Sequence, residues 1–208
     1  MTEPRVRAYI GLGANVGDAE ATLTAAVRSL AGLPHTRVRG VSRLYATEPV
    51  DVLDQPEFRN AVVAIDVPGG PDPASGALGL LARLKDLERE AGRRRRRRWG
   101  PRELDLDLLV FGRARLAIER PPEARSLEAA SDPAAAARLL VVPHPHADHR
   151  LFVLAPLADI TPGLVPPGWA RTVRSAVRER VTLEGPDAVR AIGDWDPATN
   201  AWRPIQPR

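Results

Sequence analysis

The sequence predicts an α+β fold built around one main domain, on three observations. Segments with strand-like and helix-like apolar spacing follow one another in the order β-α-β-β-α-β. With 44% hydrophobic and 27% charged residues, the composition is that of a globular protein. At 208 residues the chain can bury one substantial core and carry a small appendage.

Taken in order, Arg7 to Leu12 reads as a first strand and Gly11 to Asp18 as the loop that leaves it. Asp18 suits a helix N-cap, and Leu23, Ala26, Val27 and Leu30 follow at helical spacing. Val38 to Tyr45 reads as a second strand, Thr47 to Glu57 as a loop and Asn60 to Val67 as a third strand. Pro68 to Ser75 is rich in turn formers. Leu78, Leu81, Leu84, Leu87 and Ala91 then mark an amphipathic helix closed by Gly92. Glu103 to Phe111 is the last strand of the unit. This order is the split pattern of ferredoxin-like βαββαβ sandwiches, which implies an antiparallel sheet with helices on one side.

Additional C-terminal elements follow. Arg113 to Arg138 reads as an inserted loop with at most a short helix, and Leu139 to Val142 as a strand leading into His144. Phe152 to Leu157 is apolar, and Arg171 to Val181 reads as a short helix. The domain is expected over residues 1-183, with 113-138 inserted. Residues 184-208 form a tail of unknown role, either an ordered arm or a frayed end.

The net charge is +4, but Arg93 to Arg98 contribute six positive charges in one run, so the rest of the chain carries −2. A local cluster suits a small polyanion at least as well as nucleic acid, which is more often met by charge spread over a face. There is no cysteine, so neither a disulfide framework nor a thiolate metal site is possible. No signal-peptide pattern precedes the first strand, and no apolar run approaches the roughly 20 residues of a membrane span. A cytoplasmic protein is expected, with small-molecule substrates, no nucleic acid, no membrane and no obligatory protein partner.

Asp105 and Asp107 are the sharpest feature. Residues i and i+2 of a strand share a face, so the two carboxylates sit side by side while Leu104, Leu106, Leu108 and Val110 occupy the other face. Asp is disfavoured in strands, and paired carboxylates repel unless a cation or solvent intervenes. Either they hold a hard cation such as magnesium, or that face is merely wet. Arg93, Arg95, Arg98 and Arg102 lie just upstream, and guanidinium groups grip phosphate oxygens bidentately. Carboxylates beside arginines are the parts of phosphoryl transfer. Trp99 can stack on a base or cover the site.

Two other motifs are weaker. Gly11, Gly13 and Gly17 do not make a G-x-G-x-x-G loop, because position 16 is Val, and a tight strand-to-helix turn is the plainer reading. His144-Pro145-His146-Ala147-Asp148-His149 has the spacing of a zinc hydrolase, but the only other histidine is His35, upstream.

Taken in order, five segments resemble the 6-hydroxymethyl-7,8-dihydropterin pyrophosphokinases. They are Tyr9 to Asn15, Ser42 to Pro49, Asp54 to Asn60, Arg98 to Asp107, and Val142 to Pro156, within a resemblance spanning Ala8 to Val181. The resemblance implies transfer of pyrophosphate from ATP to the pterin hydroxymethyl group, with AMP leaving. It implies two magnesium ions on Asp105 and Asp107, and catalytic roles for Arg93, Arg95 and Arg102. ATP would meet Glu88, Arg98, Trp99, Arg102, Leu108, His144 and Arg150. The pterin would lie between Phe58 and Phe152, read by Asn60 and by groups around Thr47, Glu48 and Val50. Two positions depart from the family pattern: Ala14 stands where Ser is usual, and Lys85 where Gln is common. A nucleic-acid-binding module and the zinc hydrolase are the competing readings.

Overall fold

A computed structural model describes residues 4–49, 54–92, 101–121 and 137–205. The first strand, β1 (Arg5–Ala14), is central and leads through an Asp18 cap into α1 (Ala19–Gly32). The Asp18 carboxylate accepts from Ala21 N at 2.9 Å, satisfying one of the free N–H groups of the first turn. The expected second strand is two, β2 (Arg37–Val41) and β3 (Leu44–Thr47), broken at Ser42 and Arg43. Ser42 explains the break: its hydroxyl accepts from Val62 N at 2.9 Å, replacing a ladder partner.

The long strand β4 (Phe58–Pro68) pairs with both, and α2 (Pro73–Glu90) follows. This helix starts earlier than its leucines suggest. Asp72 caps it through Ala74 N and Ser75 N, and Pro73 stands in the first turn, where its missing N–H costs nothing. Gly92 ends it at φ +84°, as its position after Ala91 predicts.

β5 (Asp105–Phe111) pairs antiparallel with β1, and the main sheet runs β5-β1-β4-β3-β8-β9 with β2 beside β3 on β4. β8 (Val189–Asp196) and β9 (Ala201–Pro204) come from the supposed tail, which is therefore an ordered arm of the sheet. β6 (Leu116–Glu119) and β7 (Arg138–Val142) form a separate two-stranded ribbon. The inserted segment thus contributes a strand where at most a helix was expected. Its alternating Leu116 and Ile118 pack on the main core.

Helices lie on both sides of the sheet, against the expectation of one. Leu23, Val27 and Leu30 of α1 and Ala77, Leu80 and Leu84 of α2 bury one face, with Ile10, Val63, Ile65, Leu106 and Leu108. On the other, Leu154 and Leu157 of α3 (Leu151–Ile160) join Val173 and Ala176 of α4 (Val173–Glu184) over Tyr9, Val62 and Ala64. The cause is in β4, where Ala61 to Ile65 are apolar at every position and neither face can be left to water.

The alternation of β5 also fails at one point. Ile10 pairs with Leu108 and Tyr9 with Val110, so Leu109 is a bulge. Val110 therefore turns to the α3 side with Tyr9 instead of continuing the row of Leu106 and Leu108.

Candidate active site

The register places the candidate residues in rows across the sheet. Asp105 on β5 faces Gly13 on β1, which faces Asn60 on β4, which faces Tyr45 on β3. Directly paired residues project from the same face, so the carboxylate and the amide look out on the α3 side, two strands or about 10 Å apart. Asp107 forms the next row with Gly11 and Val62. Gly11 and Gly13 are strand residues here, not the turn their spacing suggests. At Gly13 the absent side chain leaves open floor: a methyl there would lie 3.4 Å from Asn60 Oδ1. Over Gly11 the Leu109 side chain closes in at the same distance.

Around the carboxylate pair the charges are unevenly balanced. Arg102 Nη1 reaches Asp105 Oδ1 at 3.1 Å. Burial, and then the charge of Asp105, push the Asp107 carboxyl up; Lys85, Arg150 and Arg102 pull it partly back. Burial is the larger cause, and the neighbouring carboxylate adds to it. His144 lies in the same field. Its pKa is lowered to about 4 by burial and then by Arg150, so the imidazole is neutral near pH 7. The His144 N–H donates to Leu109 O at 2.9 Å, fastening this loop to the free edge of β5.

Glu88 is placed differently from its expected ATP contact. It is buried, and its Oε1 accepts from Leu106 N at 2.8 Å and from Lys85 Nζ at 2.8 Å. The helix thus satisfies an edge-strand N–H between the two aspartates and brings an ammonium to the site. Leu108 also departs from expectation. Its side chain is in the core under α1 and α2, so a ligand could meet only its main chain.

Among the residues expected to meet the pterin, Thr47 pairs with Phe58, and Asn60 Nδ2 donates to Thr47 Oγ1 at 2.8 Å. This bond fixes the amide and leaves Oδ1 over the Gly13 floor. Phe58 and Asn60, two apart on β4, share the α3 face. Phe152 is on the first turn of α3, with the Arg150 guanidinium 5.7 Å from its ring centre. Glu48 is exposed just beyond β3. Val50, Arg93, Arg95, Arg98 and Trp99 lie outside the described residues.

Asn15 carries a role its sequence context did not signal. Its Oδ1 accepts from Arg102 N at 2.7 Å, and its own N–H donates to Arg102 O at 3.0 Å. Its Nδ2 donates to Gln55 Oε1 and Pro56 O, both at 3.1 Å. One buried side chain thereby joins the arginine segment to the loop before Phe58. The histidine cluster makes no metal centre. Among the described residues, which include all four histidines, no group of three His, Asp or Glu converges. Nor is any described helix long and apolar enough to cross a membrane.

Comparison with known proteins bears on this geometry. Residues 9–162 match the sequence model described as 7,8-dihydro-6-hydroxymethylpterin-pyrophosphokinase (HPPK). The 2-amino-4-hydroxy-6-hydroxymethyldihydropteridine pyrophosphokinase of Methylorubrum extorquens is 42% identical over 171 residues, covering 82% of this chain and 91% of that one. Its namesake in Pseudomonas aeruginosa is 40% identical over 158 residues, covering 76% and 82%. In structure, wild-type Plasmodium falciparum HPPK-DHPS superposes with a TM-score of 0.68 at 14% identity over 98% of this chain. This chain spans about half of that one (50%), and the likeness is one of fold.

Proposed function

Since this chain belongs to the 7,8-dihydro-6-hydroxymethylpterin-pyrophosphokinase family, we propose that it transfers pyrophosphate from ATP to 6-hydroxymethyl-7,8-dihydropterin in folate synthesis, releasing AMP. The observation that carries the reading is the row Asp105–Gly13–Asn60. It sets the Asp105 carboxylate and the Asn60 amide, which would read the pterin, about 10 Å apart with only Gly13 between them. A flat bicyclic ring held at Asn60 can point its hydroxymethyl toward the carboxylates.

Two magnesium ions suit Asp105 and Asp107. The donors are hard oxygens at neighbouring positions on one face of β5, and no third carboxylate among the described residues completes a cage. Magnesium accepts such a partial site because it fills its shell with water and phosphate oxygens. When bound, it would neutralise charge on the triphosphate. Arg102, Lys85 and Arg150 would hold phosphate oxygens from three sides and spread the charge that develops on the departing AMP. Neutral His144 would offer a hydrogen bond without adding charge. Phe58 and Phe152 would cover the two faces of the pterin, while Asn60 Oδ1 would take a ring N–H. Arg93, Arg95, Arg98 and Trp99 complete the reading as residues that meet ATP. The β5-β1-β4-β3 core supports a ferredoxin-like reading, and the use of ATP a cytoplasmic setting.

The test is the product. Enzyme with ATP, magnesium and the hydroxymethylpterin should form AMP and pterin diphosphate in equal amounts, and nothing when any one of the three is omitted. Formation of ADP would overturn the reading.

A further inference from the structure

The C-terminal hairpin lies beyond the matched residues 9–162, yet β8 pairs along β3 beside the strand that bears Phe58 and Asn60. Ala46 of β3 pairs with Arg59 of β4 on one side and Arg190 of β8 on the other. Both arginines therefore project from one face, two strands or about 10 Å apart, with only a methyl between them. That face is the reverse of the one bearing Phe58 and Asn60, whose positions on β4 alternate with Arg59. Glu57 fills the gap. Its Oε2 meets Arg59 Nη1 at 3.1 Å, and its Oε1 is paired with Arg190 Nη2. Partial burial pushes the Glu57 carboxyl up, but the two arginines outweigh it and hold the carboxyl below its ordinary value.

Glu57 sits between the two parts of the loop that matter. Phe58 follows it directly. Gln55 and Pro56 precede it and are gripped by Asn15, which also holds Arg102. The Asn15 bonds tie the loop to the phosphate side, and Arg59 is only two residues from Glu57. Arg190, more than a hundred residues away, is the one described cation that ties Glu57 to the C-terminal arm.

We propose that Arg190, acting through Glu57, is a positioning residue that holds the Gln55 to Asn60 stretch in place for the pterin. The inference rests on the pyrophosphokinase reading for the identity of that substrate. Arg190 is exposed, and an exposed ion pair changes an equilibrium by only a few-fold. The predicted effect is correspondingly modest and largest for one substrate.

Arg190→Ala should raise KM for the pterin about three- to fivefold, raise KM for ATP by a smaller factor because the loop reaches Arg102 only through Asn15, and keep the melting temperature of the wild type. Arg190→Lys, which keeps the charge, should recover most of the loss. Hydrogen exchange followed by mass spectrometry gives a readout independent of activity: amides of residues 55–60 should exchange faster in Arg190→Ala, with Asp105 to Phe111 unchanged. Wild-type pterin KM together with wild-type exchange in Arg190→Ala would overturn the proposal. An equal rise in both KM values would overturn it too, since that marks general loosening. If the wild-type enzyme formed no AMP, the functional reading would fall, and exchange at residues 55–60 would still decide for or against the tether.

Discussion

Gly13 does its work by having no side chain. It lies between Asp105 and Asn60 in one row, so any branched residue there would rise from the floor on which, in the proposed reading, the reactive end of the pterin would lie. Gly13→Val suits a strand by propensity, and φ at Gly13 is not in the left-handed region, so the fold should survive. The expected outcome is a protein with wild-type circular dichroism and a pterin affinity reduced at least tenfold, measured by calorimetry. Pterin binding unchanged by the valine would remove the ligand from this floor. The aspartates were legible from spacing, because two Asp at i, i+2 in an apolar strand need a reason. Phe58 and Asn60 were singled out only through the family resemblance, since alone each has an ordinary core or loop reading, and His144 stood out otherwise only in the zinc-hydrolase spacing. Asn15 was not legible as a node, because its bonds reach Gln55 and Arg102, 40 and 87 residues away. No local pattern encodes such distances.

At the scale of elements, the alternation of strands and helices up to β5 could be read from periodicity and caps, and the errors have physical causes. One strand became β2 and β3 because the Ser42 hydroxyl substitutes for a ladder bond. The β8–β9 segment stayed open between an ordered arm and a frayed end because its short strands show little alternation along most of their length. What places the arm is tryptophan. Trp202 is 4% exposed in the main core, stacks edge-on with Trp195 at 4.8 Å, and donates its indole N–H to Ser42 O at 2.9 Å. Removing that ring would leave a cavity and an unpaired carbonyl at the very break between β2 and β3. Trp202→Ala should therefore cost about 3–5 kcal/mol in chemical denaturation. A loss under 1 kcal/mol would show the arm to be an appendage to the sheet.

Across the whole molecule the proposed site is assembled from parts far apart in the chain: β1 and the Gln55 to Asn60 stretch would serve the pterin, α2 and β5 the phosphates, with His144 to Phe152 beside both. Asn15 couples the two halves directly, since the same amide holds Gln55 and Pro56 on one side and Arg102 on the other. A ligand that orders Arg102 must also order the pterin loop, and the reverse holds by linkage. Coupling of this kind is typically worth 5- to 150-fold. A non-hydrolysable ATP analogue with magnesium should thus tighten pterin binding by about fivefold or more, and the pterin should tighten analogue binding by the same factor. Calorimetric titration in both orders checks the equality. With chelator in place of magnesium the coupling should shrink, because the Asp105–Asp107 pair then repels the triphosphate that Arg102 attracts. Asn15→Ala should remove the coupling while each ligand alone still binds, since Asn15 offers the ligands nothing directly once its side chain is spent on Arg102, Gln55 and Pro56. Independent binding in the wild type, or coupling that survives in Asn15→Ala, would mean that the two halves communicate by some route other than this residue.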